Sequence, residues 1–342
     1  MPRAPHDDSS SGKSAPDSLR PRDVPCIYSD VPPFMGVSHY SGALPQGLDL
    51  AVVGMPYDGI ATFRGGATRR APQEIRKYSL LFGEYHLDWD LDMFAHLHLA
   101  DAGDVDVCPP NTAESYLRLE QRIADIRTAG AAPLTIGGDH GVTYPAVRAA
   151  TADLESSTAG LIVFDTHLDL SEALAGDRLT RASPLKRIAE LNALNPQQIV
   201  VIGARGPRNL PEWPILAQEL GISVFTMEAV ERDGIHAVTE RARAIASMGG
   251  TRPIYISVDI DGVDPAFAPG TNSPEPGGLT SREIIRGVRL AAERGFCGFD
   301  VVEVSPDFDT ASGTTSILAA RLLVEAMAAV SANKAERTGC WR

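Results

Sequence analysis

Six polar side chains lie at the ends of three short apolar segments, and their types are those that bind metal ions in proteins. The six are His140, Asp165, His167, Asp169, Asp259 and Asp261. A donor set without cysteine excludes a thiolate site, and it is too large for one structural zinc. It suits two borderline-hard divalent ions, whose charge the four carboxylates would offset. The set therefore predicts a two-metal centre able to supply hydroxide near neutral pH.

The local sequence suggests how these side chains converge. In LIVFDTHLD, Asp165, His167 and Asp169 alternate along the chain, so an extended strand would point all three to one face. Such groups are costly to leave unpaired at a core edge, which favours a bound cation. His140 by itself is more readily a satisfied turn residue than a ligand. Asp264 is either a turn residue or part of an active-site rim, because it precedes a Pro/Gly-rich loop.

A further carboxylate, Glu303, lies in the apolar segment DVVEV near the end of the chain. The two-metal set does not need it, so it is free to pair with a cationic substrate. The residue alone leaves a second interpretation open, in which Glu303 is a surface or capping residue paired with an arginine.

Eight apolar, β-branched segments must position these side chains. Their continuous apolar character is typical of strands buried on both faces of a parallel sheet. The predicted strands span 49–55, 95–101, 132–138, 159–165, 198–204, 222–227, 253–259 and 297–304. Helical periodicity predicts helices over 112–130, over 281–295 with Ser281 as its cap, and over 316–332. The alternation indicates an α/β protein, and a (β/α)₈ barrel fits the count as well as an open sheet does.

The length, charge and hydrophobic content of the chain limit the classes of protein to which it can belong. The 342 residues carry a net charge of −13 and are 44% hydrophobic, enough for a large core. The acidic charge argues against nucleic acid and anionic membranes as partners. We expect a flexible tail over 1–24 and a single catalytic domain over 25–342. Four scattered cysteines, and the lack of a signal-like or membrane-spanning apolar segment, predict a cytoplasmic protein.

Four motifs in series resemble the ureohydrolase family, which includes arginase and agmatinase. They are GGDH, DTHLD, SVDIDGVDPAFAPGT and DVVEVSP. The resemblance spans about residues 30–335 and includes the Gly/Arg-rich segment 54–76. It implies a three-layer αβα sandwich around an eight-stranded, mostly parallel sheet, in place of a barrel.

The resemblance also implies roles for the polar residues. His140 and Asp169 match ligands of a first metal ion, His167 and Asp261 match ligands of a second, and Asp165 and Asp259 match carboxylates that bridge the two. Manganese is the usual metal of the family, and nickel occurs in some branches. Family members usually form trimers or hexamers, so a homo- or hetero-oligomer is expected.

The implied reaction is hydrolysis of a C–N bond in a small cationic guanidino compound, with release of urea or a urea-like product. Glu303 matches the carboxylate that orients the guanidinium, and Asp169 is placed to transfer a proton to the leaving nitrogen. Candidate substrates are agmatine, guanidinobutyrate, guanidine, and substituted guanidines or biguanides such as metformin.

Two positions depart from the family pattern. Arg181 replaces a histidine expected beyond the metal ligands, and arginine cannot shuttle protons at neutral pH. Ser171 replaces the asparagine with which arginases contact the amino-acid end of arginine, which disfavours arginine itself. Arg181 also motivates a rival hypothesis, a non-catalytic or assisting subunit of a hetero-oligomer. A deacetylase of similar fold fits less well, since one zinc would not need four aspartates.

Overall fold

The computed structural model describes residues 31–59 and 64–337; the tail predicted over 1–24 lies outside this range. Eight of the ten strands form one sheet in the order β4-β1-β5-β10-β9-β6-β7-β8, and β2 and β3 form a separate antiparallel pair. In chain order the strands are β1 (Leu50–Gly54), β2 (Tyr85–His86), β3 (Leu91–Asp92), β4 (Leu99–Asp104), β5 (Ala132–Ile136), β6 (Ala159–Phe164), β7 (Leu194–Ala204), β8 (Ser223–Thr226), β9 (Ile254–Asp259) and β10 (Gly298–Val302).

All seven strand pairings in the large sheet are parallel. The sheet is open, with β4 and β8 at its two edges, so the barrel alternative is wrong. All eight predicted strands occur in this sheet, which confirms the α/β prediction.

Helices cover both faces of the sheet and make the three-layer sandwich that the resemblance implied. They are α1 (Ala71–Ser79), α2 (Thr112–Thr128), α3 (Thr143–Ala150), α4 (Pro184–Ile188), α5 (Glu212–Leu220), α6 (Met227–Asp233), α7 (Ile235–Ala246), α8 (Ser281–Ala292) and α9 (Thr314–Arg337). One core contains α1 and α6 to α9, and the other contains α2 to α5. Alternate strand residues enter opposite cores: Leu50 and Val52 join the first, and Ala51 and Val53 the second.

Several element boundaries differ from prediction, and two of these differences have a local cause in the structure. The strand predicted over 95–101 begins only at Leu99, because the Asp92 side chain accepts hydrogen bonds from the backbone of Phe94 and Ala95 and holds a 3₁₀ turn there. Helix α8 is capped by Thr280, not Ser281. Thr280 and Glu283 each accept a hydrogen bond from the other's backbone N–H, a reciprocal capping box.

Helix α9 is long and apolar enough to cross a membrane by composition alone. However, 83% of its apolar window is buried inside the protein, where it packs against α1, α8 and β10. This burial is typical of a core helix.

The strand order brings the strands that carry the candidate residues side by side. Strands β5, β10, β9 and β6 are adjacent at the centre of the sheet, although they are distant along the chain. Because all four are parallel, their carboxyl ends meet at one edge, where ligands of open α/β sheets usually bind. The four motifs that carry the candidate residues follow these four strand ends.

Candidate metal centre

His140 is positioned by a tight turn after β5. A Cβ on Gly138 would lie 1.6 Å from the carbonyl oxygen of Tyr57, so only glycine allows this approach. The buried Asp139 side chain accepts hydrogen bonds from the backbone N–H of Gly59 at 2.7 Å and of Gly141 at 3.0 Å. Burial raises the pKa of Asp139 to about 6. These contacts fix the backbone on both sides of His140.

Asp165, His167 and Asp169 do converge, but not by the predicted strand geometry. Strand β6 ends at Phe164, before the first of them. Asp165 Oδ1 accepts a hydrogen bond from the backbone N–H of His167 at 2.6 Å, and Asp169 adopts a left-handed backbone with φ 44°. A turn therefore brings the three together, and the expectation of one extended face is wrong.

A polar loop after β7, which the sequence analysis missed, supports this turn. Asn209 accepts a hydrogen bond from the backbone N–H of Leu168 at 2.9 Å and donates one to the carbonyl of Thr166 at 3.0 Å. Thr166 donates in turn to the carbonyl of Asp261 at 2.7 Å, as does Arg205 at 3.1 Å. The sequence feature that could have indicated this loop is a group of polar residues after a buried strand, at the same edge of the sheet as the candidate ligands.

We expect Asn209→Ala to loosen this turn. The loss of its hydrogen bonds should lower the free energy of unfolding by about 1–3 kcal/mol and weaken divalent-metal binding by about 10–100-fold. Denaturant unfolding and metal titration of the purified protein measure both effects. Asn195→Ala is the matched control, because that side chain accepts a hydrogen bond from the nearby N–H of Gln197 and lies away from the metal ligands in sequence. Wild-type metal affinity in Asn209→Ala would contradict the supporting role.

The structure brings all six predicted residues together. Nδ1 of His140 lies 3.1 Å from an oxygen of Asp165, 2.8 Å from one of Asp169 and 3.2 Å from one of Asp259. Nδ1 of His167 lies 3.7 Å from Asp165 and 3.3 Å from Asp261. Asp165 thus faces both histidines.

The cluster is electrostatically strained as a set of protein groups alone. Burial raises the pKa of Asp165 to about 7. Burial and the charges of Asp261 and Asp165 raise the pKa of Asp259 well above its usual value. Burial would lower the pKa of His167, but the adjacent Asp261 reverses this and raises it to about 9. Buried like charges at this distance favour a compensating cation.

The donor set fits such cations. A single imidazole N–H cannot donate to three carboxylates at once. Three carboxylates nevertheless surround Nδ1 of His140, as ligands surround an ion that they share. In addition, Asp165 Oδ2 and Asp261 Oδ1 are buried without a hydrogen-bond partner among the described residues. Two overlapping groups of potential ligands share Asp165, as a binuclear site requires.

A third His/Asp/Glu group lies elsewhere, at His86, Asp88 and Glu325. Its buried carboxylate is already satisfied, since Glu325 accepts from Arg289 at 3.0 Å and Arg321 at 2.7 Å. This group is an ion-pair network.

Glu303 lies beside the cluster with one oxygen uncommitted. Its backbone is left-handed, with φ 60°, and Oε1 accepts a hydrogen bond from the backbone N–H of His140 at 3.0 Å. Oε2 is buried and has no hydrogen-bond partner in the described part of the chain. Burial, then the charge of Asp139, raises the pKa of Glu303 to about 8. The interpretation as a surface residue is wrong, because Glu303 is 3% exposed; the arginine whose charge acts on it is Arg181.

Glu303, Asp169 and part of the cluster line a cavity of about 110 Å³. Arg181, Arg208, Trp213 and Ser273 also line it. Of these four, only Arg181 was singled out from the sequence. Asp264 takes no part in the cluster and is a turn residue: it accepts hydrogen bonds from the backbone of Ala266, Gly277 and Gly278.

Comparison with known proteins shows which family the chain resembles. The sequence profile of the arginase family matches residues 48–329. A guanidinopropionase of Pseudomonas aeruginosa is 35% identical, over 91% of this chain and 94% of that protein. A mitochondrial agmatinase of Gallus gallus is also 35% identical, over 82% and 80%. The solved structure of a proclavaminate amidinohydrolase from Streptomyces clavuligerus superposes with a TM-score of 0.81 at 34% identity, covering 90% of this chain and 99% of that one. The chain therefore belongs to the arginase family of C–N hydrolases.

Proposed function

We propose that the chain is a binuclear-metal amidinohydrolase acting on a small guanidino compound other than arginine. The observation that carries this proposal is the buried Oε2 of Glu303, which has no hydrogen-bond partner among the described residues and lies in the cavity beside the His/Asp cluster. A carboxylate in this state needs a cation, and guanidinium offers two parallel N–H donors to it. Relatives named guanidinopropionase, guanidinobutyrase and agmatinase support a substrate of this class.

The six clustered residues would hold two divalent ions. We assign His140 and Asp169 to one ion, His167 and Asp261 to the other, and Asp165 and Asp259 to both. Nitrogen and oxygen donors suit Mn²⁺, our first choice, and also Ni²⁺. When bound, the ions supply Lewis acidity that makes water nucleophilic near neutral pH.

The protein's own residues would bind the substrate and move the proton. Glu303 fixes the plane of the guanidinium through Oε2. Asp169 accepts a proton from the attacking water and passes it to the nitrogen that leaves. One C–O bond forms and one C–N bond breaks, so that a guanidino compound and water give urea and a protonated amine.

A substrate panel tests the proposal. The protein, reconstituted separately with Mn²⁺ and Ni²⁺, is assayed for urea release from agmatine, 3-guanidinopropionate, 4-guanidinobutyrate and guanidine, and for loss of dimethylbiguanide. We expect turnover of at least one compound, loss of that activity after chelation, and recovery on adding metal back. A protein that binds metal but turns over no member of the panel would refute the proposed function.

A second function is that of an assisting subunit in a hetero-oligomer. The observation favouring it is Arg181, a residue that cannot shuttle protons, at the position where the family has a histidine. Isolation of the native complex distinguishes the two: a second arginase-family chain, with activity unaffected by Asp165→Ala in this one, would favour the assisting role.

We further infer a cytoplasmic protein with one catalytic domain over 25–342, assembled as a trimer or hexamer. Cys108 and Cys297 are free thiols in the described part of the chain, which suits a reducing compartment. Light scattering of the purified protein tests the assembly.

A further inference from the structure

Arg181 lines the cavity that contains Glu303 and Asp169. The backbone on either side is anchored, because Ser171 N–H donates to the carbonyl of Ala182 at 2.9 Å and Ser183 N–H donates to that of Thr180 at 3.0 Å. Thr180 and Ser183 are both buried. The position of Arg181 is therefore built into the fold.

The guanidinium of Arg181 lacks a protein partner on one side. Nη1 is buried and has no hydrogen-bond partner within residues 31–59 and 64–337. Arginine stays protonated at all physiological pH values, so this N–H edge is a buried donor on a permanent cation. Leaving such a donor unpaired is unfavourable, and an anionic oxygen is its best partner.

A second cation, Arg208, lines the same cavity, where it donates to Ser273 at 3.2 Å. The cavity is thus lined by four carboxylates and two arginines, and the carboxylates are those of Glu303, Asp169, Asp259 and Asp261. A substrate whose guanidinium lies at Glu303 occupies the same cavity as Arg181 and Arg208. A positively charged tail would be repelled by Arg181 and Arg208, whereas a carboxylate would pair with a planar guanidinium through two hydrogen bonds.

We propose that Arg181 is a specificity-determining residue that binds the carboxylate of a guanidino acid. This inference rests on the proposed function, because it places the guanidinium of the same substrate at Glu303. It selects guanidino acids over agmatine, whose tail is an amine.

The test compares 4-guanidinobutyrate with agmatine, two compounds of similar length and opposite tail charge. Urea release from both is measured with wild type, Arg181→Gln, Arg181→Lys and the control Arg178→Gln. Arg178 lies in the same loop, but its side chain is exposed and paired with Glu172 at 2.9 Å.

The wild type should prefer 4-guanidinobutyrate. In Arg181→Gln the ratio of kcat/KM for the acid over that for agmatine should fall by at least about tenfold, mainly through a higher KM for the acid. Arg181→Lys should restore part of the ratio, since lysine keeps the charge but not the planar fork. Arg178→Gln should keep the wild-type ratio. Preference of the wild type for agmatine, or an unchanged ratio in Arg181→Gln, would overturn the proposal.

Binding measured by calorimetry distinguishes failure of the proposed function from failure of the proposed Arg181 contact. If the metal-loaded protein turns over no member of the panel, the proposed function fails, and binding of 4-guanidinobutyrate still tests Arg181. At least about tenfold weaker binding to Arg181→Gln than to wild type would support the carboxylate contact. Equal binding, or none to either protein, would overturn it.

Discussion

Asp259→Asn is expected to reduce hydrolysis by more than about a hundredfold and to release metal, while the fold remains intact. The estimate exceeds the 10–100-fold typical of residues that only support a ligand, because Asp259 would be a ligand of both ions. Asparagine preserves the shape of the side chain but removes the charge that balances the cations. Metal content per chain and urea release measure the two effects.

In the metal-free protein, the same substitution should leave the Tm unchanged or raise it. Burial and the charges of Asp261 and Asp165 raise the pKa of Asp259, so its ionised form is disfavoured in the folded protein. A neutral side chain removes this repulsion, and the Tm of metal-free Asp259→Asn should equal or exceed that of wild type. Asp106→Asn, at a carboxylate that is 98% exposed, is the control and should change neither quantity. Wild-type metal content in Asp259→Asn would show that the site is misplaced.

Glu303→Gln is expected to lower kcat/KM by about a hundredfold, which corresponds to about 2.7 kcal/mol, without loss of metal. The change removes a charge-assisted pair with the substrate guanidinium and leaves a neutral amide in its place. Steady-state kinetics on the best substrate of the panel, with metal content measured in the same sample, separates this effect from a damaged metal site.

Two outcomes for Glu303→Gln would contradict the assignment. Activity close to that of wild type would mean that the guanidinium binds elsewhere. Loss of metal together with activity would mean that Glu303 serves the ions and not the substrate.

The sequence predicted the fold class because the strands are buried on both faces and therefore read as continuous apolar segments. Leu50 and Val52 enter one core and Ala51 and Val53 the other, so β1 is apolar on both faces. The strand order was not predictable from periodicity. It places β10 between β5 and β9, and this pairing of distant segments brings Glu303 beside His140.

The candidate site was predicted by residue type and family resemblance more than by local geometry. Asp165, His167 and Asp169 were expected to share a strand face, but they lie in a turn that begins after Phe164 and is held by Asn209, 41 positions from Leu168 in the sequence. Contacts between residues so far apart in the chain produce no periodic pattern in a single sequence, so periodicity could not predict them. For the same reason Trp213 and Arg208 were not recognised as cavity residues.

We propose that the His/Asp cluster holds two divalent ions that hydrolysis requires. The most direct measurement is a titration of metal-free protein with Mn²⁺, with bound metal and urea release recorded at each step. We predict saturation of both signals at two ions per chain, and failure of His140→Ala to reach that stoichiometry. Full activity without metal, or saturation of both signals at one ion per chain, would contradict the account.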